Sequence, residues 1–310
     1  MRTIRAAVIG VGYLGQFHAE KYSRLPEAKL VAVVDTDQSR CAELAEKHNT
    51  RAVFDYREIL GQVDAVSIVV PTFLHYKIAK DFLEQGVHVL LEKPVTTTIE
   101  EADDLIRIAA EKKVVLQAGH LERFNPAFIA AEGIIRNPRL VESTRVAPFK
   151  PRGTDVNVVL DLMIHDIDLI LAFVSSPIRE IRAIGIPFVT DKEDIANARI
   201  EFENGCIANI IASRVSFNSE RKMQIVQPDA CISIDFQNRK LLVARKDETT
   251  LGNPAADEKT LEPGDAIMDE IRSFLHSIAS GTPPKVTGKD GRKALEVALL
   301  ITNQFNKVSS

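Results

Sequence analysis

Cysteine is scarce in this sequence: Cys41, Cys206 and Cys231 are the three among 310 residues. They are far apart and share no metal-type spacing, which excludes a disulfide framework and a cysteine-based zinc site. So sparse and odd a count suits small apolar core side chains in a reducing compartment. Long apolar runs are also missing, since none approaches the roughly 20 residues a membrane-crossing helix needs. The run Ala6–Gly10 is too short for the core of a secretion signal and meets glycines without a cleavage-type site, so it reads as a strand. The expectation is a cytoplasmic protein with no membrane partner. Neither sign of charge dominates: the net charge is −4, which argues against bulk attraction to nucleic acid or to an anionic membrane. Tryptophan is absent, which carries no functional weight. What is present is ordinary for a globular core, 45% hydrophobic and 26% charged residues, over a length that suits two domains.

The first 120 residues alternate apolar runs with helical patterns. The runs are Ile4–Ile9, Leu30–Val34, Ala65–Val70, Val87–Leu91 and Val114–Ala118. Helical periodicity fills Tyr13–Ser23, Ser39–His48, Leu74–Gln85 and Thr98–Lys112. Strands that are apolar throughout are expected when helices cover both faces of a parallel sheet, and this alternation implies right-handed crossovers in a doubly wound fold. After His120 the pattern changes. Helices are expected at Asn125–Arg136 and Val156–Val174, with a strand at Leu140–Val146 between them. From Ile181 to Arg245 short β-like runs alternate apolar and polar residues, with a hairpin signal at Glu203-Asn204-Gly205-Cys206. Lys246–Pro263 is polar and reads as loop, and helices at Ala266–Ser280 and Gly291–Asn306 end the chain. The expected fold class is α/β: a nucleotide-binding doubly wound domain over 1–120, then over 121–310 an α+β domain with a large, mostly antiparallel, open-faced sheet.

Gly10-Val11-Gly12-Tyr13-Leu14-Gly15 directly follows a strand and opens a helix. Glycine permits the tight turn at Gly10, close approach of backbone to a pyrophosphate at Gly12, and close helix–strand packing at Gly15. The helix start then offers unpaired N–H groups to phosphate. Asp35 closes the second strand, where an acid accepts hydrogen bonds from ribose hydroxyls and repels a 2′-phosphate. The cofactor expected is NAD, with NADP disfavoured; Arg40 nearby softens that exclusion.

Glu92-Lys93-Pro94 ends an apolar strand, at the sheet edge where ligands of open α/β folds bind. A cation there stabilises developing alkoxide charge, although a strand-end Lys–Glu surface pair has the same appearance. Pro71-Thr72 and His75 follow the strand Ala65–Val70 at the matching edge. On the residues alone His75 is equally an ordinary helix-start side chain. Asp161, His165 and Asp168 recur at helical spacing in an apolar stretch, Asp161-Leu162-Met163-Ile164-His165-Asp166-Ile167-Asp168. Such a face costs desolvation unless it serves a site. Catalysis, a satisfied core network and a metal site all remain open for it.

Gly10–Gly15, Asp35, Glu92-Lys93-Pro94 and Gly119-His120-Leu121-Glu122-Arg123-Phe124-Asn125-Pro126 together resemble the glucose–fructose oxidoreductase, inositol dehydrogenase and rhizopine-catabolism family, written Gfo/Idh/MocA. The resemblance extends over essentially the whole chain. It implies a cis Lys93–Pro94 peptide beside the nicotinamide and a dinucleotide pocket lined by Pro71, Thr72 and His75. The family's Asp-x-x-x-His-x-x-Asp signature is matched by Asp161, His165 and Asp168, with Met163 where a glycine is usual. By resemblance, His165 is the general base, assisted by Asp161 and Lys93, with Asp168 orienting His165 or capping the network, and no metal is implied. Arg123 would hold a phosphate or carboxylate, with Asn125 and Arg152 as further substrate contacts; Glu122 stands where the family often has Asn. The open sheet face, taken as rich in apolar residues, implies a homodimer or homotetramer. The segments His120–Pro126, Arg152–Val156 and Val159–Asp166 resemble the bacterial subgroup that oxidises UDP-N-acetylglucosamine at C3 for lipid A synthesis. Three other activities fit the fold. They are a free-sugar or inositol dehydrogenase, an NAD-dependent glycosidase, and a dinucleotide sensor that would not need Lys93, Asp161 and His165 together.

Overall fold

The computed structural model describes residues 3–151, 156–246 and 256–305, and divides them into two compact units. The first runs to Leu121 and takes in Asp265–Lys293; the second comprises Glu122–Gly264 and the chain from Ala294. The chain thus returns to the first unit at Asp265–Lys293. The cause is apolar: Met268, Ile271, Phe274 and Leu275 share a core with Ala19, Tyr22 and Leu25 of the first helix.

Six parallel strands make the first unit's sheet: β1 (Ile4–Ile9), β2 (Ala28–Val34), β3 (Arg51–Val53), β4 (Ala65–Ile68), β5 (His88–Glu92) and β6 (Leu116–Gly119), in the order β3-β2-β1-β4-β5-β6. Its helices are α1 (Gly15–Arg24), α2 (Gln38–Lys47), α3 (His75–Glu84) and α4 (Ile99–Lys112). This is a Rossmann sheet, and its order reverses between β1 and β4, which opens a crevice at the strand ends. The helix starts are specified locally. Thr98 and Glu101 form a reciprocal capping box on α4, and Asp37 caps α2. Edge strand β3 is three residues long, too short to leave a periodic trace in the sequence.

The second unit carries an eight-stranded sheet: β7 (Leu140–Val146), β8 (Ile178–Pro187), β9 (Glu193–Phe202), β10 (Ile207–Ser213), β11 (Glu220–Gln227), β12 (Ala230–Asp235), β13 (Lys240–Arg245) and β14 (Ala256–Thr260), ordered β14-β13-β12-β11-β7-β10-β9-β8. All pairings are antiparallel except β7 with β10. Strand β14 falls where a loop was expected; every one of its residues is exposed, so it lacks the alternation that marks a half-buried strand. One face of the sheet is covered by α5 (Pro126–Glu132), a π-helical turn (Val159–Met163) and α6 (Ile164–Phe173), whose Met163, Ile164 and Ile167 meet Ala196, Ala198, Ala208 and Ala212 in one core. The helices α7 (Ala266–Ser280) and α8 (Gly288–Phe305) end the chain. The uncovered face corrects one premise. Its outward residues include Glu142, Asn197, Asn209, Lys222 and Gln224 beside Ile184, Ile211 and Leu242, so it is mixed rather than apolar.

Candidate active site

At the end of β1, Gly10 and Gly15 stand where the backbone leaves no room for a side chain. Gly10 has φ +85°, and a Cβ there would lie 2.4 Å from the Val69 carbonyl oxygen. A Cβ on Gly15 would lie 1.9 Å from the Gly10 carbonyl oxygen, so only glycine lets α1 start against the turn. Gly12 differs: its missing Cβ faces open space, with Arg40 Nη1 the nearest atom at 3.9 Å. That opening at the start of α1, which has no side-chain cap, is a cradle a pyrophosphate fits. Leu14 is the N-cap residue, and Tyr13 is 67% exposed with its ring edge-on to Phe17.

Asp35 is tied to this turn. One carboxylate oxygen accepts the Val11 N–H at 2.8 Å and the other the Asp37 N–H at 2.9 Å. The carboxylate is thereby aimed, and its remaining lone pairs suit ribose hydroxyls. Arg40 ion-pairs with Asp37 at 2.9 Å on the first turn of α2.

At the ends of β4 and β5, Pro71 is exposed, Thr72 and Lys93 are half-buried and Pro94 is buried; the Lys93–Pro94 peptide is cis. His75 was expected to line the cofactor pocket. The structure instead buries its ring, with Nδ1 2.8 Å from the Pro94 carbonyl oxygen and Nε2 2.8 Å from that of Val70. Burial outweighs these contacts and pushes the imidazole towards its neutral form. His75 is thus a brace between the ends of β4 and β5. Glu92 is likewise turned inward, 7% exposed, its Oε2 accepting the Lys93 N–H at 3.3 Å. An exposed ligand-facing carboxylate is not what the structure shows there.

In the second unit the expected helix begins as a π turn. Asp161 lies within it and His165 in the first turn of α6. Both stay half-buried while Val159, Met163, Ile164 and Ile167 around them are fully buried. π-helical turns are uncommon and recur at functional sites. Asp168 does not share this setting: it is 1% exposed and receives the Arg123 guanidinium, Nε at 2.6 Å and Nη2 at 2.9 Å. Arg123 donates to a carboxylate of its own chain, and Asp168 braces Arg123, beside whatever each does toward a ligand or His165. Asn125 caps α5 through the Ala127 N–H and donates to Glu122 and to the Phe236 carbonyl oxygen, so it has a structural role of its own. Arg152 lies outside the described residues. Lys93 belongs to the first unit, and Asp161 and His165 to the second.

A second buried network had no sequence expectation. Arg145 bridges Asp166 (Nε at 2.7 Å) and Glu122 (Nη1 at 2.8 Å), and Ser143 donates to Asp166. Burial alone would raise Glu122, but Arg145 and Arg221 outweigh it and hold its carboxyl below the usual range. The alternation of β7, which turns Ser143 and Arg145 inward, was the available signal.

Residues 4–120 match the family model described as the oxidoreductase family with an NAD-binding Rossmann fold, and residues 129–232 match the GFO/IDH/MocA C-terminal domain. The chain belongs to the Gfo/Idh/MocA family of oxidoreductases. Among curated relatives, the UDP-N-acetylglucosamine 3-dehydrogenase of Acidithiobacillus ferrooxidans is 41% identical over 303 residues, 96% of each chain. A solved structure of that enzyme superposes with a TM-score of 0.93 at 40% identity, covering 99% of both chains. The scyllo-inositol 2-dehydrogenase (NAD(+)) of Bacillus subtilis is 27% identical, over 97% of this chain and 94% of its own. The enzyme is therefore an oxidoreductase of a dinucleotide-binding family. Among its described residues no helix is long and apolar enough to cross a membrane.

Proposed function

We propose that this oxidoreductase uses NAD to oxidise the C3 hydroxyl of UDP-N-acetylglucosamine to the 3-keto sugar. The observation that carries the reading is similarity along 96% of both chains, at 41% identity, to an enzyme named for that reaction. Inositol dehydrogenases match over comparable lengths at lower identity. Asp35 supports NAD, because its carboxylate, held by the Val11 and Asp37 N–H groups, opposes a 2′-phosphate.

NAD supplies a hydride acceptor for the carbon being oxidised. The chain's residues do the rest. Gly12 leaves room for the pyrophosphate and Asp35 takes the ribose hydroxyls. His165 accepts the proton of the C3 hydroxyl as the C3–H bond breaks, Asp161 assists it, and Lys93 stabilises the developing alkoxide. The C–H electrons leave as hydride and the O–H proton goes to the imidazole, so the products are ketone, NADH and one proton. A homodimer or homotetramer through the second unit's open sheet and a cytoplasmic setting complete the reading.

The test compares NADH formation on UDP-N-acetylglucosamine, UDP-glucuronate-type sugars, free hexoses and inositols, with an aminotransferase removing the 3-keto product. Turnover on UDP-N-acetylglucosamine at least tenfold above the others supports the reading. Turnover on an inositol alone overturns it.

A further inference from the structure

Three acid–base side chains from three elements converge in the interior of the first unit. They are His18 of α1, Glu92 of β5 and Glu270 of α7, one side-chain nitrogen or oxygen of each lying within 4.8 Å of the others. His18 and Glu270 are 0% exposed and Glu92 is 7% exposed. His18 Nε2 stands 3.4 Å from Glu92 Oε1, and Glu92 Oε2 accepts the Lys93 N–H. The site is shaped for Glu92: a Cβ on Gly119 of β6 would lie 2.9 Å from its carboxyl carbon and Oε1. Neither oxygen of Glu270 has a hydrogen-bond donor among the described residues.

Two carboxylates this close and this dry cannot both carry charge, because burial penalises each charge and each repels the other. Apart from the His18 ring and the Lys93 N–H, both of which face Glu92 and not Glu270, the neighbours do not relieve them. Tyr22 of α1 is kept neutral by burial and bonds Ser67 of β4 at 2.9 Å. Lys21 of α1 ion-pairs outward with Glu20 and Asp265. Gln117 of β6 donates to the Glu270 main-chain carbonyl, not to its carboxyl.

We propose that Glu270 is a neutral carboxylic acid that shares its proton with Glu92, and that this acid pair, closed by His18, positions Glu92 and through it the Lys93 main chain. Glu270 is then a positioning residue, placed outside the segments matched by the family models, which end at residue 232. The proton-sharing stands on the cluster itself; the effect on turnover rests on the reading of Lys93 as catalytic. Burial first, and the Glu92 charge second, hold the Glu270 carboxyl well above its ordinary value.

The experiment compares wild type, Glu270→Gln and Glu270→Leu. Gln keeps a donor to Glu92 without a titrating proton, whereas Leu removes the donor. In infrared difference spectra at pH 7, wild type minus Glu270→Gln shows a protonated-carboxyl band that shifts in D2O. The pH dependence of unfolding gives a second readout. A raised folded pKa contributes stability that is fully present below the unfolded value near 4.5 and lost as pH rises. Glu270→Gln therefore gains on wild type as pH increases from there. On turnover, Glu270→Gln keeps kcat within about threefold, while Glu270→Leu loses about tenfold to a hundredfold at unchanged NADH affinity, the range expected for small misplacement of a catalytic group. Absence of the band, a stoichiometric divalent metal on the purified protein, or equal kcat losses in Gln and Leu variants would each overturn the proposal. If wild type does not oxidise UDP-N-acetylglucosamine, the proposed substrate fails while the infrared and unfolding readouts still decide the proton.

Discussion

Gly12 and Gly15 sit three residues apart in one turn, yet the structure gives them opposite jobs, and alanine separates the two. At Gly12 the added methyl meets nothing closer than 3.9 Å, at the mobile end of the Arg40 side chain. Folding is then unaffected, or gains up to about 1 kcal/mol from lost unfolded-state freedom. The methyl does occupy the space a pyrophosphate needs. Overfilling a close contact costs about 1–3 kcal/mol, which weakens NADH binding by about fivefold to a hundred-and-fiftyfold. At Gly15 the methyl falls 1.9 Å from the Gly10 carbonyl oxygen, a backbone atom that cannot step aside alone. Gly15→Ala therefore loses about 3 kcal/mol or more of stability, and its NADH binding falls because the turn itself moves. Urea unfolding of each apo variant, paired with NADH fluorescence titration, reads both quantities. A Gly12→Ala enzyme that binds NADH as tightly as wild type, or one that unfolds like Gly15→Ala, would refute the assignment of the cradle.

Other expectations follow from the same geometry. His165→Asn and Lys93→Ala should each lose about a hundredfold to ten-thousandfold in kcat with NADH affinity unchanged; normal turnover in either removes that residue from the mechanism. Asp168→Asn breaks a pair whose side chains are 10% and 2% exposed and should cost about 3–5 kcal/mol in urea unfolding. An Arg123→Met/Asp168→Leu double variant should recover most of that, and equal losses in single and double variants would show that the charges are not what matters. Asp194 tests the acid limb. Burial opposes its charge, but the N–H groups of Thr190, Phe188 and Val189 and the Arg214 guanidinium outweigh burial and hold it well below its ordinary 3.8. A depressed folded value contributes stability present above 3.8 and lost below it. Asp194→Asn should thus be less stable than wild type at pH 7, with the gap closing below about pH 4; a gap independent of pH contradicts the assignment.

The sequence is most legible where one residue type has one physical use. Gly10, Gly12 and Gly15 are such positions, and so are the apolar strands β1 and β4, whose covered faces leave no polar alternation. Strands β3 and β14 were not legible, one too short and one exposed throughout. Among candidate site residues, spacing grouped Asp168 with Asp161 and His165. Periodicity records direction from the helix axis, whereas the partner that claims Asp168, Arg123, comes from 45 residues earlier in the chain. The same limit hid Arg145 with Asp166, and Glu270 with Glu92, because each pair is assembled by tertiary packing. A buried ion pair at Arg123 and a helix cap at Asn125 draw on the same residue types as an anion site, so residue type alone does not separate the two uses.

The central claim is hydride transfer from C3 of UDP-N-acetylglucosamine to NAD, and deuterium placed at C3 tests it directly. Incubating the enzyme with NAD and the C3-deuterated nucleotide sugar should yield deuterated NADH and a 3-keto product, with slower turnover wherever the C–H step limits the rate. NADH formed without deuterium, or none formed while an inositol is oxidised, would contradict it.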